Sequence, residues 1–264
     1  MKKILLTGAT GRIGRDFHQL AADKYALRLT SRDAARIQNP GPHETMSLDL
    51  ANLDACRRAC EGIHTVLHLA ADADAGADFY ATLLDANIVG AYNIFRAAKE
   101  MGCRRVVFAS TIQVIEGYPL DVQGTTDRLP KPVNMYGVSK VFGEALAHYY
   151  AVTEGISSIV VRVGSYEGNG PWENPNARQL SAFISRRDMF HMFERCIEAE
   201  DVQFAIVQAV SDNRFKRMDI TSARELVGYV PQDDAFTRFN TGIPYRDRWY
   251  EEGNRTRPGT QSED

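Results

Sequence analysis

Two side chains in the segment NMYGVSK, residues 134–140, have the types and the spacing for acid–base chemistry at an oxygen atom. Tyr136 and Lys140 stand four residues apart in a stretch with helical periodicity, so both lie on one face of that helix, one turn apart. A phenol with a pKa of about 10 is a weak base at neutral pH, and a neighbouring ammonium group favours its phenolate. The same spacing also arises by chance on an ordinary helix surface. The surrounding segments decide between the two interpretations.

The first two thirds of the chain alternate short apolar runs with longer segments of helical period. The runs are rich in Val, Ile and Leu and show little polar alternation, which is typical of parallel strands buried on both faces. They are KKILLTG, ALRLTS, HTVLHLA, RRVVFAS and SSIVVRVG. Helical periodicity covers four segments, 12–24, 51–60, 79–102 and 136–155. Strands that alternate with helices predict an α/β fold with a Rossmann-type, doubly wound parallel sheet.

The regular alternation ends near the close of the fifth apolar run, where a loop rich in Gly, Asn and Pro begins. We expect residues 1–165 to form a dinucleotide-binding domain that a further strand, near 202–209, completes. Residues 166–245 are expected to supply a small carboxyl-terminal substrate cap over the carboxyl ends of the strands, where open α/β folds bind ligands. The polar residues 246–264 are expected to form a mobile tail.

Composition narrows the function classes. The 264 residues carry a net charge of -3 with both signs scattered along the chain, which leaves no basic face for nucleic acid. No apolar run approaches the roughly 18 residues of a membrane span, and glycines interrupt the first run early, so we expect no membrane partner and a cytoplasmic protein. The four cysteines have no metal-ligand spacing, which predicts free thiols and no metal site.

A glycine-rich loop, TGATGRIGRD, follows the first predicted strand and opens the first helix. The GxxGxxG spacing permits a tight turn, close approach of the backbone to a pyrophosphate, and close packing of helix on strand. A plain strand-to-helix turn is the alternative, but the position at the start of a βαβ array favours dinucleotide binding. The cofactor-binding residues predicted here are Gly8, Thr10, Gly11, Arg12, Ile13 and Gly14.

The end of the second predicted strand bears on the choice of cofactor. NAD-binding folds carry an acidic residue there for the ribose hydroxyls, but this strand ends at Ser31 and is followed by Arg32. A hydroxyl and a guanidinium would hold a 2'-phosphate that a carboxylate would repel. The sequence therefore predicts cofactor contacts at Ser31 and Arg32 and a preference for NADP over NAD. A shift of one residue would instead bring Asp33 to the ribose.

A series of motifs, in their order and spacing, resembles the extended short-chain dehydrogenase/reductase family over residues 1 to about 165. The motifs are GATGRIG, LDL, HLAA, NIVGAYNIFRAA, FAST, YGVSK and VRVGS. The resemblance implies that Tyr136 is the catalytic acid/base and that Lys140 lowers its pKa and binds the nicotinamide ribose. It also implies that Thr111 hydrogen-bonds the reacting oxygen, with Ser110 behind it, and that Asn87 orders the site and its proton path. Asn87, Tyr136 and Lys140 thus count among the cofactor-binding residues too.

Further positions follow from the same resemblance. Asp49 and Leu50 correspond to adenine contacts, and the segment Leu69, Ala70 and Ala71 to backbone that passes the pyrophosphate and ribose. His68 ends a buried strand, and a structural role is favoured over a catalytic one. The long helices at 77–100 and 133–153 correspond to the family's usual dimer contact. The resemblance therefore predicts a homodimer.

Within the family, the chain is similar to the uronate dehydrogenases, which oxidise the anomeric carbon of a sugar acid to a lactone. This similarity implies that Ser165 and Arg178 contact substrate, with Arg178 as the clamp for a carboxylate. Ala73, Thr111, Ile112, Gln113 and Tyr136 complete the predicted substrate set. The group has Ser-Asn-His where this chain has Thr111, Ile112 and Gln113, so the same type of reaction is expected on a sugar or sugar acid, and not necessarily on a hexuronate.

Two other functions compete with a dehydrogenase. Nucleotide-sugar epimerases of the same family retain their cofactor through each cycle, but they normally need a larger carboxyl-terminal domain to hold the nucleotide. A non-catalytic protein that senses NADP(H) is the other alternative, and such relatives characteristically lack the Tyr/Lys pair. We therefore expect an NAD(P)-dependent oxidoreductase with a sugar or sugar-acid substrate.

Overall fold

The computed structural model describes residues 1–168 and 172–239. Its central feature is a seven-stranded sheet in which all neighbouring strands run parallel. The strands of the described residues, in chain order, are β1 (Lys3–Thr7), β2 (Ala26–Ser31), β3 (Glu44–Ser47), β4 (Thr65–His68), β5 (Arg105–Thr111), β6 (Ser157–Val163), β7 (Ser165–Tyr166), β8 (Phe183–Ile184) and β9 (Phe204–Ala209). The sheet has the order β3-β2-β1-β4-β5-β6-β9, whereas β7 and β8 form a separate two-stranded sheet.

Helices connect the strands. In chain order they are α1 (Arg12–Ala21), α2 (Leu53–Cys60), α3 (Gly90–Glu100), α4 (Met135–Val152), α5 (Ala177–Ala182), α6 (Arg186–Glu198), α7 (Thr221–Val227) and α8 (Ala235–Arg238). A π-helical segment, Phe79–Val89, leads directly into α3. Short 3-10 turns occur at Ala34–Arg36 and Ile112–Ile115. Within the described ranges, no helix combines the length and hydropathy that a membrane span requires.

The central strands of the sheet are buried on both faces, which explains the unbroken apolar runs of the sequence. Successive residues of β1 point to opposite sides, so that Ile4 and Leu6 belong to one core cluster and Leu5 to another. Every residue of β5 and β6 is buried. The predicted α/β fold with a parallel, Rossmann-type sheet is confirmed.

Two parts of the sheet structure had no signal in the sequence. β3 is short and polar, and most of its residues are exposed because it is an edge strand. The pair β7–β8 has two residues in each strand, too few for any periodicity. The predicted helix over residues 79–102 is present, but its first half is π-helical rather than α-helical.

The part of the chain after β6 forms the small sheet β7–β8, the helices α5 to α8 and the strand β9. β9 pairs with β6 and forms one edge of the large sheet. The division into a dinucleotide-binding domain and a cap stays a prediction. The tail predicted over 246–264 lies outside the described residues.

Candidate active site

The loop between β1 and α1 has a backbone that only glycine accommodates well. Gly8 has a φ of +71°, and a Cβ added there would lie 2.9 Å from the Cα and backbone nitrogen of Ala70. A Cβ at Gly14 would lie 2.2 Å from the carbonyl oxygen of Gly8. The first glycine thus lets two loops approach each other, and the last lets α1 begin close to the strand.

The loop after β4 is held in place by a buried hydroxyl that the sequence did not single out. Thr7 Oγ1 accepts hydrogen bonds from the backbone nitrogens of Leu69 and Ala70, both at 3.1 Å. Its own proton is therefore directed to Nδ1 of His68, 2.8 Å away. Burial lowers the pKa of His68 to about 3, so the ring is neutral and Nε2 carries its proton. This geometry fits the structural role expected for His68.

A groove of about 620 Å³ runs along the carboxyl ends of the strands. Ten of the predicted cofactor-binding residues line it: Gly8, Thr10, Gly11, Ser31, Arg32, Asp49, Leu50, Leu69, Ala70 and Ala71. Among the residues that sequence reasoning missed, Thr30, Leu48, Ala51 and Asp72 also line the groove, together with Ala81, Thr82, Asp85 and Ala86 of the π-helical segment. The last four of these residues lie in the π-helical segment, and no pattern in the sequence indicated its irregular hydrogen bonding.

The amino terminus of α1 opens onto this groove. Its N-cap residue is Gly11, which lines the groove and has no side chain to accept hydrogen bonds from the first helical N–H groups. Arg12, Ile13 and Gly14 form the first turn. Free N–H groups and the helix dipole at such an end favour an anion, so the residues present fit the pyrophosphate of a dinucleotide.

The end of β2 has the register that the sequence predicted. Ser31 is its last residue, and both Ser31 and Arg32 line the groove. The carboxylate of Asp33 instead accepts a hydrogen bond from the backbone nitrogen of Ala35 at 3.0 Å and caps the turn Ala34–Arg36. Arg32 is exposed, and its guanidinium forms no ion pair with other described residues.

The predicted catalytic side chains meet at the end of β5. Thr111 is the last residue of that strand, and its hydroxyl lies near enough to the phenol of Tyr136, in the first turn of α4, to lower the pKa of that phenol. Lys140 lies one turn further along α4, with Nζ 5.8 Å from the ring centroid of Tyr136. Lys140 Nζ also donates a hydrogen bond of 2.8 Å to the carbonyl oxygen of Ala109 in β5. All three predicted side chains are buried.

Burial has the largest effect on the pKa values of Tyr136 and Lys140. It raises the pKa of Tyr136, and the nearby carboxylate of Asp72 adds to that effect, whereas the neighbouring hydroxyl of Thr111 opposes it. Burial also lowers the pKa of Lys140 to about 8, with Glu144 acting in the opposite direction. The sequence predicted that Lys140 lowers the pKa of Tyr136, whereas in the protein without cofactor burial raises it.

Asn87 connects the groove to the catalytic helix. Its side chain accepts a hydrogen bond from the backbone nitrogen of Asp72 at 2.8 Å and donates to the carbonyl oxygen of Asp72 at 2.9 Å. It also donates to Ser139 Oγ in α4 at 2.9 Å. Asn87 therefore orders the loop next to Tyr136, in keeping with the role that the resemblance implied.

A buried network supports β5 from behind. Ser110 Oγ donates to Glu144 at 2.6 Å, and Glu144 forms a bidentate pair with Arg162 at 2.9 and 2.7 Å. These side chains come from β5, α4 and β6, so the network fixes α4 against the two strands. Sequence reasoning assigned no partner to Glu144 or Arg162, because residues 18 apart in different elements share no local pattern.

The predicted substrate residues have different surroundings. Arg178 forms two hydrogen bonds with the carboxylate of Glu116, at 2.5 and 2.6 Å, and a third with Ser165 Oγ at 3.2 Å. Gln113 accepts a hydrogen bond of 2.8 Å from Asn134, the N-cap of α4. Ile112 is buried in the hydrophobic core. Ala73 is exposed in the loop after β4.

A matched pair of glycine variants tests the close approach at Gly8. Gly8→Ala and Gly62→Ala both place a side chain in the left-handed region, at φ angles of +71° and +67°, but a Cβ at Gly62 meets nothing within 4 Å. We expect both to lose about 1–2 kcal/mol of unfolding free energy for the left-handed backbone. Only Gly8→Ala should also weaken cofactor binding, by about tenfold or more, because Ala70 must move.

Chemical denaturation measures the unfolding free energy of the two glycine variants. Calorimetric titration with NAD(H) and NADP(H) measures their cofactor affinity. Equal cofactor affinities in Gly8→Ala and Gly62→Ala would contradict a role of the Gly8–Ala70 contact in binding.

The parallel sheet, the glycine loop at its first strand and the Tyr/Lys pair on α4 define a protein of the short-chain dehydrogenase/reductase type. Residues 4–192 match the model of the NAD dependent epimerase/dehydratase family. The chain belongs to this family, as the motifs indicated.

The relatives of the chain include sugar dehydrogenases. It is 35% identical over 253 residues to the NAD-dependent glucose-6-phosphate dehydrogenase of Haloferax volcanii, with 88% of this chain and 94% of that protein covered. It is 32% identical over 260 residues to the L-arabinose 1-dehydrogenase (NAD(P)(+)) of the same organism, covering 90% and 99%. The crystal structure of a uronate dehydrogenase mutant from Agrobacterium tumefaciens complexed with NAD matches with a TM-score of 0.83 at 32% identity, covering 92% and 91%. The resemblance to the uronate dehydrogenases is thus confirmed.

Proposed function

We propose that the protein is an NAD(P)-dependent dehydrogenase that oxidises the anomeric carbon of a sugar or sugar acid, with a lactone as the product. The observation that carries the proposal is the placement of the Thr111 hydroxyl near the phenol of Tyr136 at the carboxyl end of β5, with Lys140 one helical turn away. The names of the relatives support a sugar as the substrate, since they act on a hexose phosphate and a pentose.

The groove supplies the contacts that a nicotinamide dinucleotide needs. The Gly8–Ala70 approach leaves backbone beside the space for the pyrophosphate, and the free N–H groups of α1 open onto it. Asp49 and Leu50 would hold the adenine, whereas Asn87 and Lys140 would order the nicotinamide end. When bound, the dinucleotide supplies the acceptor for the hydride that leaves the sugar carbon.

The side chains of the protein would manage the proton. Tyr136 would take the proton of the anomeric hydroxyl as the hydride departs, and Thr111 would hydrogen-bond the same oxygen. Because burial raises the pKa of Tyr136, the phenolate needs positive charge beside it, which Lys140 supplies and a bound oxidised nicotinamide would increase. The hydrogen bond from Lys140 to Ala109 fixes the ammonium in a position to do so.

We also propose that the enzyme prefers NADP to NAD. Two observations support this preference. Ser31 and the exposed Arg32 both line the groove, and the carboxylate of Asp33 is hydrogen-bonded to the backbone nitrogen of Ala35. Arg32→Ala should therefore weaken NADPH binding by about ten- to a hundredfold, the range of one or two charge-assisted hydrogen bonds, and leave NADH binding within about twofold.

Fluorescence titration with the two reduced cofactors measures this difference. Arg36→Ala is the matched control, because Arg36 is also exposed but does not line the groove among the described residues. A wild-type protein that binds NADH as tightly as NADPH would contradict the proposed preference.

A homodimer is the proposed assembly. α4 presents exposed apolar side chains at helical spacing, Met135, Val138, Phe142, Tyr149 and Val152, and this stripe supports a helix-to-helix contact with a second copy. Sedimentation analysis measures the mass in solution. A cytoplasmic location, expected from the sequence, stays part of the proposal.

The proposed function is tested by measuring the absorbance of the reduced nicotinamide that purified protein forms. NADP and NAD are offered in turn with galactose, glucose, arabinose, galacturonate and glucuronate. Turnover that needs both cofactor and sugar supports the proposal. Interconversion of sugars without any accumulation of reduced cofactor would instead indicate an epimerase, and would contradict it.

A further inference from the structure

The guanidinium expected to clamp a substrate carboxylate is already paired with a carboxylate of this chain. Nε and Nη2 of Arg178 donate to the two oxygens of Glu116 at 2.5 and 2.6 Å, and Nη1 donates to Ser165 Oγ at 3.2 Å. The bidentate geometry is the strongest that this pair of groups can form. Each nitrogen of Arg178 therefore has a partner within the protein.

The pair lies at the same end of the sheet as the candidate catalytic residues. Glu116 follows directly on the 3-10 turn Ile112–Ile115, which begins after Thr111. Ser165 comes two residues after Val163, and Val163 is the register partner of Thr111 across β5 and β6. Glu116 and Ser165 thus come from the ends of the two adjacent strands next to Tyr136.

The side chains of Glu116 and Arg178 are partly accessible, with 17% and 20% of their surface exposed. A ligand can therefore reach them. A carboxylate ligand that approached Arg178 would meet the like charge of Glu116, and it would have to displace Glu116 and leave it without its partner. A sugar hydroxyl meets no such repulsion, because it can donate to a carboxylate oxygen of Glu116 and accept from a hydroxyl or an N–H.

A second arginine adds positive charge in the neighbourhood of Glu116. Arg217 is fully buried and donates to the carbonyl oxygens of Tyr118, Pro119 and Val122 at 2.7–3.1 Å. Burial lowers the pKa of Arg217, and the charge of Glu116 opposes this shift. Glu116 is therefore attracted by the positive charges of Arg178 and Arg217. Arg217 donates to backbone carbonyl oxygens, so it does not take over the binding of a substrate carboxylate from Arg178.

We propose that Glu116 is a specificity-determining residue, which by occupying Arg178 makes the site select neutral sugars over the corresponding uronic acids. This inference rests on the proposed dehydrogenase function. It replaces the expected role of Arg178 as a carboxylate clamp with that of a support for Glu116, and it assigns substrate contacts to Glu116 and Ser165.

The test compares kcat/KM for sugars that differ only at C6, galactose with galacturonate and glucose with glucuronate. The wild-type protein should favour the neutral member of each pair by about tenfold or more. Glu116→Gln removes the negative charge and weakens the pairing with Arg178, so it should shift the ratio toward the acid by about ten- to a hundredfold. Glu61→Gln, an exposed carboxylate at the end of α2, is the matched control and should leave the ratio unchanged.

A wild-type preference for the uronic acids overturns the inference, as does an unchanged ratio in folded Glu116→Gln protein. The wild-type ratio requires no variant, so the inference stays testable even if Glu116→Gln fails to fold. Failure of the Glu116 inference can be distinguished from failure of the proposed dehydrogenase function. Turnover with the acids preferred refutes the role of Glu116 alone, whereas absence of turnover with every sugar, by protein that binds the cofactor, refutes the proposed function with it.

Discussion

Tyr136→Phe is expected to lower kcat by about a hundred- to ten-thousandfold, the usual contribution of a positioned acid/base group, and to leave cofactor affinity within about threefold. The reason is that phenylalanine keeps the ring, which packs at the start of α4, but removes the only atom that would exchange a proton with the sugar oxygen. Thr111 loses the phenol as a polar neighbour, yet its side chain still accepts a hydrogen bond from the backbone nitrogen of Gln113 at 3.3 Å. The fold should therefore change little.

Steady-state kinetics and calorimetric cofactor titration separate these two expectations. Tyr150→Phe is the matched control, because Tyr150 is a second buried tyrosine of α4 and lies almost four turns beyond Tyr136. Turnover in Tyr136→Phe at the level of Tyr150→Phe would remove Tyr136 from its proposed role.

Lys140→Met is expected to abolish turnover and at the same time to stabilise the fold. Burial lowers the pKa of Lys140 from 10.5 to about 8, so at pH 7 the protonated side chain costs roughly 3 kcal/mol relative to the unfolded chain. Methionine has a similar length and no charge, but it gives up the hydrogen bond to Ala109, which offsets about 1 kcal/mol or more. The net expectation at pH 7 is a gain of about 1–2 kcal/mol in unfolding free energy.

The pH dependence gives this second prediction its sign. Below pH 8 both the folded and the unfolded wild-type chains keep the proton on Lys140, so the full cost is present. Between about pH 8 and 10.5 the folded protein releases the proton while the unfolded chain retains it, and the stability of the wild-type protein rises relative to Lys140→Met. The advantage of the variant should therefore shrink across this interval.

Denaturant unfolding at a series of pH values measures the difference between the two proteins. Lys99→Met, at an exposed position in the last turn of α3, is the control and should show no such dependence. A Lys140→Met protein that is less stable than wild type at pH 7, or whose difference does not change toward alkaline pH, would contradict the account of a costly buried ammonium.

The parts of the site that the sequence predicted are those that depend on local spacing. The glycines at 8, 11 and 14 are required by a single turn, and the Tyr136/Lys140 pair by a single helix, so their spacing in the chain is also their spacing in space. The apolar strands were predicted for a similar reason, since burial on both faces leaves an unbroken apolar run.

The parts that the sequence did not predict depend on residues that are distant in the chain. The pairing of Glu116 with Arg178 joins positions 62 residues apart, and no pattern in either segment indicates the other. The hydrogen bonds from Leu69 and Ala70 to Thr7 are of the same kind. The effect of burial on the pKa of Tyr136 was not predicted either, because it depends on how much water the packed helix excludes, which the spacing of Tyr136 and Lys140 does not encode.

The proposed hydride transfer from the anomeric carbon is tested most directly with sugars that carry deuterium at C1. Galactose and galacturonate labelled in this way are incubated with the protein and oxidised NADP or NAD, and the reduced cofactor is examined by NMR. The account predicts one deuterium at C4 of the nicotinamide for each sugar oxidised, with the label lost from the sugar. Deuterium that remains at C1 of the product, or reduced cofactor without label, would contradict it.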